Sequence, residues 1–238
     1  MKIRLNKSKF IRNILIGTIS LIIVACIINY APGYERDKYE EVLNLIIGDK
    51  NVTESLKYPI YTDDNDIVYI AKDDVLNLFD RNIYYDETYK QLITTSNTKV
   101  ANMELGSKKI QINGSEISTL GVVLEKDGIL YVPISELELV YNISVNHPEN
   151  SNKIIIDKLN EGMIVADVAE DTSLKYKSRN LSKTVVTVEK GEKVNCFYTT
   201  SKGWRVIRTS EGELRICKSK CTSKWIYYKT RYEWYIRN

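Results

Sequence analysis

An internal repeat in the middle of the chain constrains its fold more than any other feature. Residues 67–95 read IVYIAKDDVLNLFDRNIYYDETYKQLITT, and residues 129–157 read ILYVPISELELVYNISVNHPENSNKIIID. At an offset of 62, Ile67 aligns with Ile129, Tyr69 with Tyr131, Ile70 with Val132, Asp74 with Glu136 and Phe79 with Tyr141. Beyond the polar loop around His147, Leu92 meets Ile154 at the same offset. Each copy opens with alternating apolar and polar residues, the period of a half-buried strand. Each then breaks, at Lys72-Asp73 or Pro133-Ile134-Ser135, and places apolar residues at helical spacing: Val75, Leu78 and Phe79, or Leu137, Val140 and Tyr141. Asp73 and Ser135 are the expected N-caps of those short helices. Upstream, Asn44 to Thr53 parallels Ile110 to Ser118, where Asn113-Gly114 signals a hairpin turn. Each repeat is therefore expected to hold a hairpin, a strand, a short helix and a closing strand pair.

The second copy carries Ile112-Asn113-Gly114, Asp127-Gly128, Tyr131-Val132-Pro133, Glu136-Leu137 and Lys153-Ile154-Ile155-Ile156. In these residues it resembles the bacterial stalk domain, also called copper amine oxidase N-terminal-like. The resemblance covers about 100 residues, with Ser135 standing where the family's V-P-x-R pattern has arginine. Despite the name, it implies no copper site and no oxidase, only a structural or adhesive module on exported proteins.

From Glu161-Gly162 onward the pattern changes to short β runs: Met163 to Val168, Thr184 to Glu189, Lys193 to Thr199 and Trp204 to Thr209. Turn residues at Lys190-Gly191-Glu192 and Ser201-Lys202-Gly203 separate them. Through Leu174, Gly191, Gly203, Trp204, Val206 and Gly212 this stretch resembles the bacterial SH3-like (SH3b) domain. The resemblance implies a small barrel in which glycines allow tight corners and one indole plugs the end. Trp204 and Tyr198 are the candidate ligand contacts.

The tail departs from that family, which continues G-x-x-G-Y-V. Here Gly212-Glu213-Leu214-Arg215-Ile216-Cys217 is followed by KSKCTSKWIYYKTRYEWYIRN. Back-translated with AT-rich codons, Arg215 to Lys220 read one base later gives Gly-Tyr-Val-Lys-Val, the family's own continuation. The tail then reads as a frameshift product that leaves the last strand missing and an edge open. The other reading is a divergent strand with an aromatic extension, in which Trp225, Tyr227, Tyr228, Tyr232, Trp234 and Tyr235 form a sugar-stacking platform.

At the other end, Asn13 to Tyr34 is a run of 22 residues without a charge, preceded by Lys2, Arg4, Lys7, Lys9 and Arg12. About 20 apolar residues span a bilayer core and basic residues stay inside, so this run is expected to cross the membrane with everything from Glu35 outside. Alternatives are cleavage as a signal peptide and acylation at Cys26, since Ile23-Val24-Ala25-Cys26 resembles a loose lipobox. The first 12 residues hold +5 of a net +3, which leaves the remainder slightly acidic and without a nucleic-acid footprint.

Catalytic and metal signatures are weak. His147 is the sole histidine, so Cys-His and Ser-His-Asp arrangements lack support. Cys217-x-x-x-Cys221 needs two further ligands to hold a metal, and Asp63-Asp64-Asn65-Asp66 reads as a polar turn. The expectation is an α+β, mostly β chain with no catalytic residue, metal or cofactor. Its parts are a cytoplasmic segment (1–12), a membrane anchor (13–34), a two-repeat stalk (35–158), an SH3-like barrel (162–217) and an aromatic tail (218–238). The expected role is non-enzymatic binding of cell-wall glycan or peptide by a single-pass membrane protein. Alternatives are the truncated N-terminal half of a family 18-like wall glycosidase, which the domain order resembles, and an envelope structural or partner-binding protein.

Overall fold

The structure, a computed structural model, describes residues 15–24, 42–79, 82–149, 151–159, 163–222 and 226–228. The first repeat supplies β1 (Asn44–Ile47), β2 (Lys50–Asn51), β3 (Tyr61–Thr62), β4 (Val68–Ala71), a helix over Lys72–Leu78, β5 (Tyr84–Asp86) and β6 (Gln91–Thr95). After β7 (Val100–Glu104), the second repeat supplies β8 (Lys109–Ile112), β9 (Ser115–Ser118), β10 (Leu124–Lys126), β11 (Ile129–Pro133), a helical turn over Ile134–Val140, β12 (Ile143–Asn146) and β13 (Lys153–Lys158).

The central strands of the two repeats pair with each other. β4 runs antiparallel to β11 with Ile70 opposite Val132, its own counterpart, so a pseudo-twofold axis passes through that pair. The outer strands are exchanged. The hairpin of the first repeat joins the second repeat's closing strand, with β1 parallel to β13 and Leu45 opposite Ile154. The hairpin of the second repeat joins the first repeat's closing strand through β7, giving the order β5-β6-β7-β8-β9. Leu45, Ile70, Leu92, Ile110, Val132, Leu137, Ile154 and Ile156 from both copies thus fill one apolar core. Asn113 and Gly114 both take positive φ (51° and 84°), as do Asp127 and Gly128 (55° and 76°). These are the two-residue turns whose twist suits a hairpin.

Asp73 and Ser135 are not caps. The cap positions fall two residues earlier, at extended Ala71 and Pro133 with no side-chain cap, so the helices start at Lys72 and Ile134. Asp73 instead pairs with Lys57 (2.8 Å) and Lys72 (3.1 Å). The repeat-matched acids Asp74 and Glu136 turn inward. Asp74 accepts the backbone N–H groups of Lys57 and Tyr58 (2.7 and 3.1 Å). Glu136 accepts those of Leu120 and Gly121 (3.1 and 3.3 Å). Each carboxylate therefore fixes the loop that leads into its own repeat's central sheet.

The expected fold class needs correction. The molecule is mostly β, and its longest described helix outside the N-terminal run has seven residues. Of the expected membrane span, residues 15–24 are helical, and 13–14 and 25–34 lie outside the described residues. Among the described residues no helix is long and apolar enough to cross a membrane. Cys26 lies outside the described residues, as does the segment 1–12.

On the outer face of the β10-β11-β4-β3 sheet, the Tyr61 ring stacks on Tyr69 (5.2 Å, 12°) and meets Tyr131 edge-on (5.0 Å, 80°). Burial first, then neighbouring charge, pushes the Tyr61 phenol up to about 12, and burial raises Tyr69 and Tyr131 as well. The folded chain keeps these protons where the unfolded chain has released them, so stability should fall as pH rises from about 10 to about 12. Urea midpoints measured across that window should decline. Tyr61→Phe should flatten the decline without lowering the midpoint at neutral pH.

Seven strands form the second unit: β14 (Met163–Asp167), β15 (Thr172–Lys175), β16 (Thr184–Val188), β17 (Lys193–Thr199), β18 (Trp204–Arg208), β19 (Leu214–Lys218) and β20 (Ile226–Tyr228). They make one antiparallel sheet in the order β16-β15-β19-β18-β17-β14-β20 around a core of Val168, Leu174, Val188, Val194 and Ile207. The strand expected to be missing is present. β19 pairs along its length with β18 and touches β15 through Ile216 and Lys175. Part of the tail, β20, pairs with Met163 to Val165. The divergent sequence still alternates through Leu214-Arg215-Ile216-Cys217, and that pattern suffices for a strand.

The two units meet through a buried ion pair. Arg208 is 1% exposed, and its Nη2 donates to both carboxylate oxygens of Asp157 on β13 (2.8 and 2.7 Å). Its Nη1 donates to the Gly48 carbonyl (2.7 Å) at the β1–β2 turn. Beside it, Lys153 pairs with Glu213 (2.5 Å). Gly212, at φ 84°, lies so close to β13 that a Cβ would stand 3.0 Å from Lys153 Cδ and 3.1 Å from Ile155 Cδ1. Gly212→Ala combines left-handed strain with that close approach and should cost about 1–3 kcal/mol, read as a lower urea midpoint.

Candidate ligand-binding cleft

The second unit contains a cleft of about 360 Å³ between the β14–β15 turn and the end of β19. Strand register builds it. β18 sets Trp204 opposite Lys218, and the chain then turns through Ser219–Cys221. The Cys221 carbonyl accepts the Ala169 N–H (2.9 Å), and Val168 bridges to Thr222. These bonds hold the two lips together, one ending in Glu170 and Asp171, the other carrying Lys218 and Lys220.

Trp204 is 8% exposed, but it borders the cleft and stands outside the apolar cluster that fills the unit. Its backbone is fixed on both sides: Thr200 N–H donates to the Trp204 carbonyl (2.6 Å), and Trp204 N–H donates to Thr200 Oγ1 (3.2 Å). The backbone that carries the indole is thus fixed beside the cleft. The floor and rim are charged with both signs. Lys175 Nζ donates to Thr184 Oγ1 (2.6 Å), and Asp171 Oδ1 accepts the Lys190 N–H (2.9 Å). Such a cleft offers one apolar face and separated cationic and anionic positions, which suits a polar ligand carrying a flat apolar surface or opposed charges.

Of the two expected contact residues, the structure brings Trp204 to the cleft and leaves Tyr198 elsewhere. Tyr198 is 52% exposed on β17, opposite Val206, and does not line the cleft. Strand alternation and the irregular register between Cys196 and Tyr198 separate the two rings. Glu170, Asp171, Lys175, Lys218 and Lys220 were not legible as site residues because no motif marks them. Tyr227 and Tyr228 lie in β20, while Trp225, Tyr232, Trp234 and Tyr235 lie outside the described residues.

Cys217 and Cys221 are joined in a disulfide, with Cα atoms 6.4 Å apart. Cys196 is a buried thiol. Burial pushes its pKa up, against a lowering by the nearby Arg205 charge, so it is held as the unreactive protonated form. Asp63 closes the 63–66 turn by accepting from the Asn65 and Ile67 N–H groups (both 2.9 Å), and these bonds hold its carboxyl below the usual range. His147 is exposed, with Nε2 3.1 Å from the Ser151 carbonyl.

Residues 47–156 match the family described as the copper amine oxidase N-terminal domain. That match covers both repeats. No group of three or more His, Cys, Asp or Glu side chains among the described residues is placed to hold a metal ion. No curated protein and no solved structure matches the chain.

Proposed function

We propose that this chain is an extracytoplasmic protein that binds the bacterial cell wall non-enzymatically, with the cleft beside Trp204 receiving wall glycan or peptide. The observation that carries the reading is the position of Trp204, which is buried yet lines a charged cleft and lies outside the apolar cluster that fills the unit. The resemblance of residues 162–217 to SH3-like domains supports it. So does the Cys217–Cys221 disulfide, a bond that persists in oxidising compartments outside the cytosol. The repeats over 47–156 then serve as the support that carries the cleft, through the Arg208–Asp157 contact.

The test is co-sedimentation of the full chain with purified peptidoglycan stripped of its anionic polymers. The chain should pellet, and Trp204→Ala should weaken binding at least tenfold, the scale of losing one aromatic anchor of about 1.4 kcal/mol or more. Circular dichroism should show the strand signal retained, and Trp204→Phe should keep part of the affinity. A wild-type chain that stays in the supernatant sinks the proposal.

A further inference from the structure

We propose that the β15–β16 hairpin and the end of β19 form a second binding face, for an anionic phosphodiester polymer of the envelope. Residues 172–188 contain Lys175, Lys177, Arg179 and Lys183 and no acid. Residues 214–222 add Arg215, Lys218 and Lys220, also without an acid. These two stretches are far apart in the chain, and the remainder beyond residue 12 is slightly acidic, so the clustering is not a reflection of overall charge. The sheet order places β15 between β16 and β19, with Lys175 opposite Ile216, so the two basic stretches run side by side.

Lys177, Arg179, Lys183, Lys218 and Lys220 are exposed, and Lys175 is half-buried. None of the five lysines is ion-paired among the described residues. The hairpin tip is ordered by its own bonds: Lys177 N–H donates to Ser182 Oγ (2.8 Å) and Ser182 N–H to the Arg179 carbonyl (3.1 Å). Its cations are therefore presented from a formed loop. Glu170 and Asp171 stand on the opposite lip of the cleft and bound this face on one side.

Five of the six surface cations are lysines. A compact ammonium acts on phosphodiester oxygens as a point charge, without the planar bidentate geometry that arginine brings to a carboxylate or phosphate group. A row of such charges matches a linear polymer with one negative charge per repeat. Lys175, Lys218 and Lys220 also line the Trp204 cleft, whereas Lys177, Arg179 and Lys183 lie outside it, and both readings rest on an envelope location.

The probe is synthetic poly(glycerol phosphate), titrated into the full chain. Binding should be salt-sensitive. With six cations and about 0.7 counterions released per charge, affinity should drop about 300-fold between about 50 and about 200 mM salt. The variant Lys177→Glu, Arg179→Glu, Lys183→Glu changes only residues outside the cleft. It should lose at least tenfold in polymer affinity at low salt and show about half the salt slope, while pelleting with stripped peptidoglycan stays unchanged. Polymer affinity equal to wild type in this variant overturns the assignment. So does tighter binding of single-stranded DNA or of anionic lipid vesicles at matched charge. Failure with stripped peptidoglycan alone counts against the Trp204 cleft and leaves this face standing.

Discussion

Replacing Arg208 by methionine should lower the stability of the chain by about 3 kcal/mol and uncouple its two units. The guanidinium is 1% exposed and bonds both oxygens of Asp157 as well as the Gly48 carbonyl. Removing one partner of a buried pair leaves the other charge uncompensated, which costs about 3–5 kcal/mol. Asp157 keeps 18% exposure and can recruit water, which places the expected loss at the lower end. Equilibrium urea unfolding should change from one transition to two, because the contacts that make the units cooperate are centred on this residue. Arg208→Lys should lose nearly as much, since one ammonium cannot reproduce the planar fork. A methionine variant with an unchanged midpoint and a single transition would show that the units are coupled by other means.

Asp74→Asn should cost about 2–3 kcal/mol, whereas the matched change Glu136→Gln should cost about 1 kcal/mol or less. The carboxylates occupy equivalent repeat positions, but they use their oxygens differently. Asp74 gives Oδ1 to Lys57 N–H and Oδ2 to Tyr58 N–H. Asparagine has a single acceptor oxygen, so one buried N–H would face an amide NH₂, and both a charge-assisted bond and its desolvation are lost. Glu136 receives both N–H groups on Oε1 alone. Glutamine can keep that geometry with only the charge removed. Denaturant midpoints of the two single variants decide the matter, and equal losses would contradict the distinction drawn from the geometry.

Much of the first unit was legible in the sequence. The offset of 62 aligned residues that turned out to be structurally equivalent, and Asn113-Gly114 marked a hairpin through the positive φ it requires. Helix placement was recovered, but the caps at Asp73 and Ser135 were not: the helices begin after extended Ala71 and Pro133, and Asp73 pairs with Lys57, a tertiary partner that a local capping rule ignores. The membrane-crossing helix did not stand among the described residues. At the site, an isolated tryptophan between turn glycines was visible as a candidate, while its charged neighbours were not.

What the sequence alone determined is local: two copies of one strand–helix–strand unit, then a run of short strands, each set by hydrophobic period and turn chemistry. Tertiary structure decided the rest. Periodicity states which face of a strand is apolar but not which strand lies beside it, so the exchange of hairpins between the repeats appears only in the sheet order. The Arg208–Asp157 contact and the pairing of Lys175 with Ile216 join residues 51 and 41 positions apart. Neither is encoded in spacing. Each follows from the chain burying its apolar faces in a single arrangement, which then leaves particular charges facing one another.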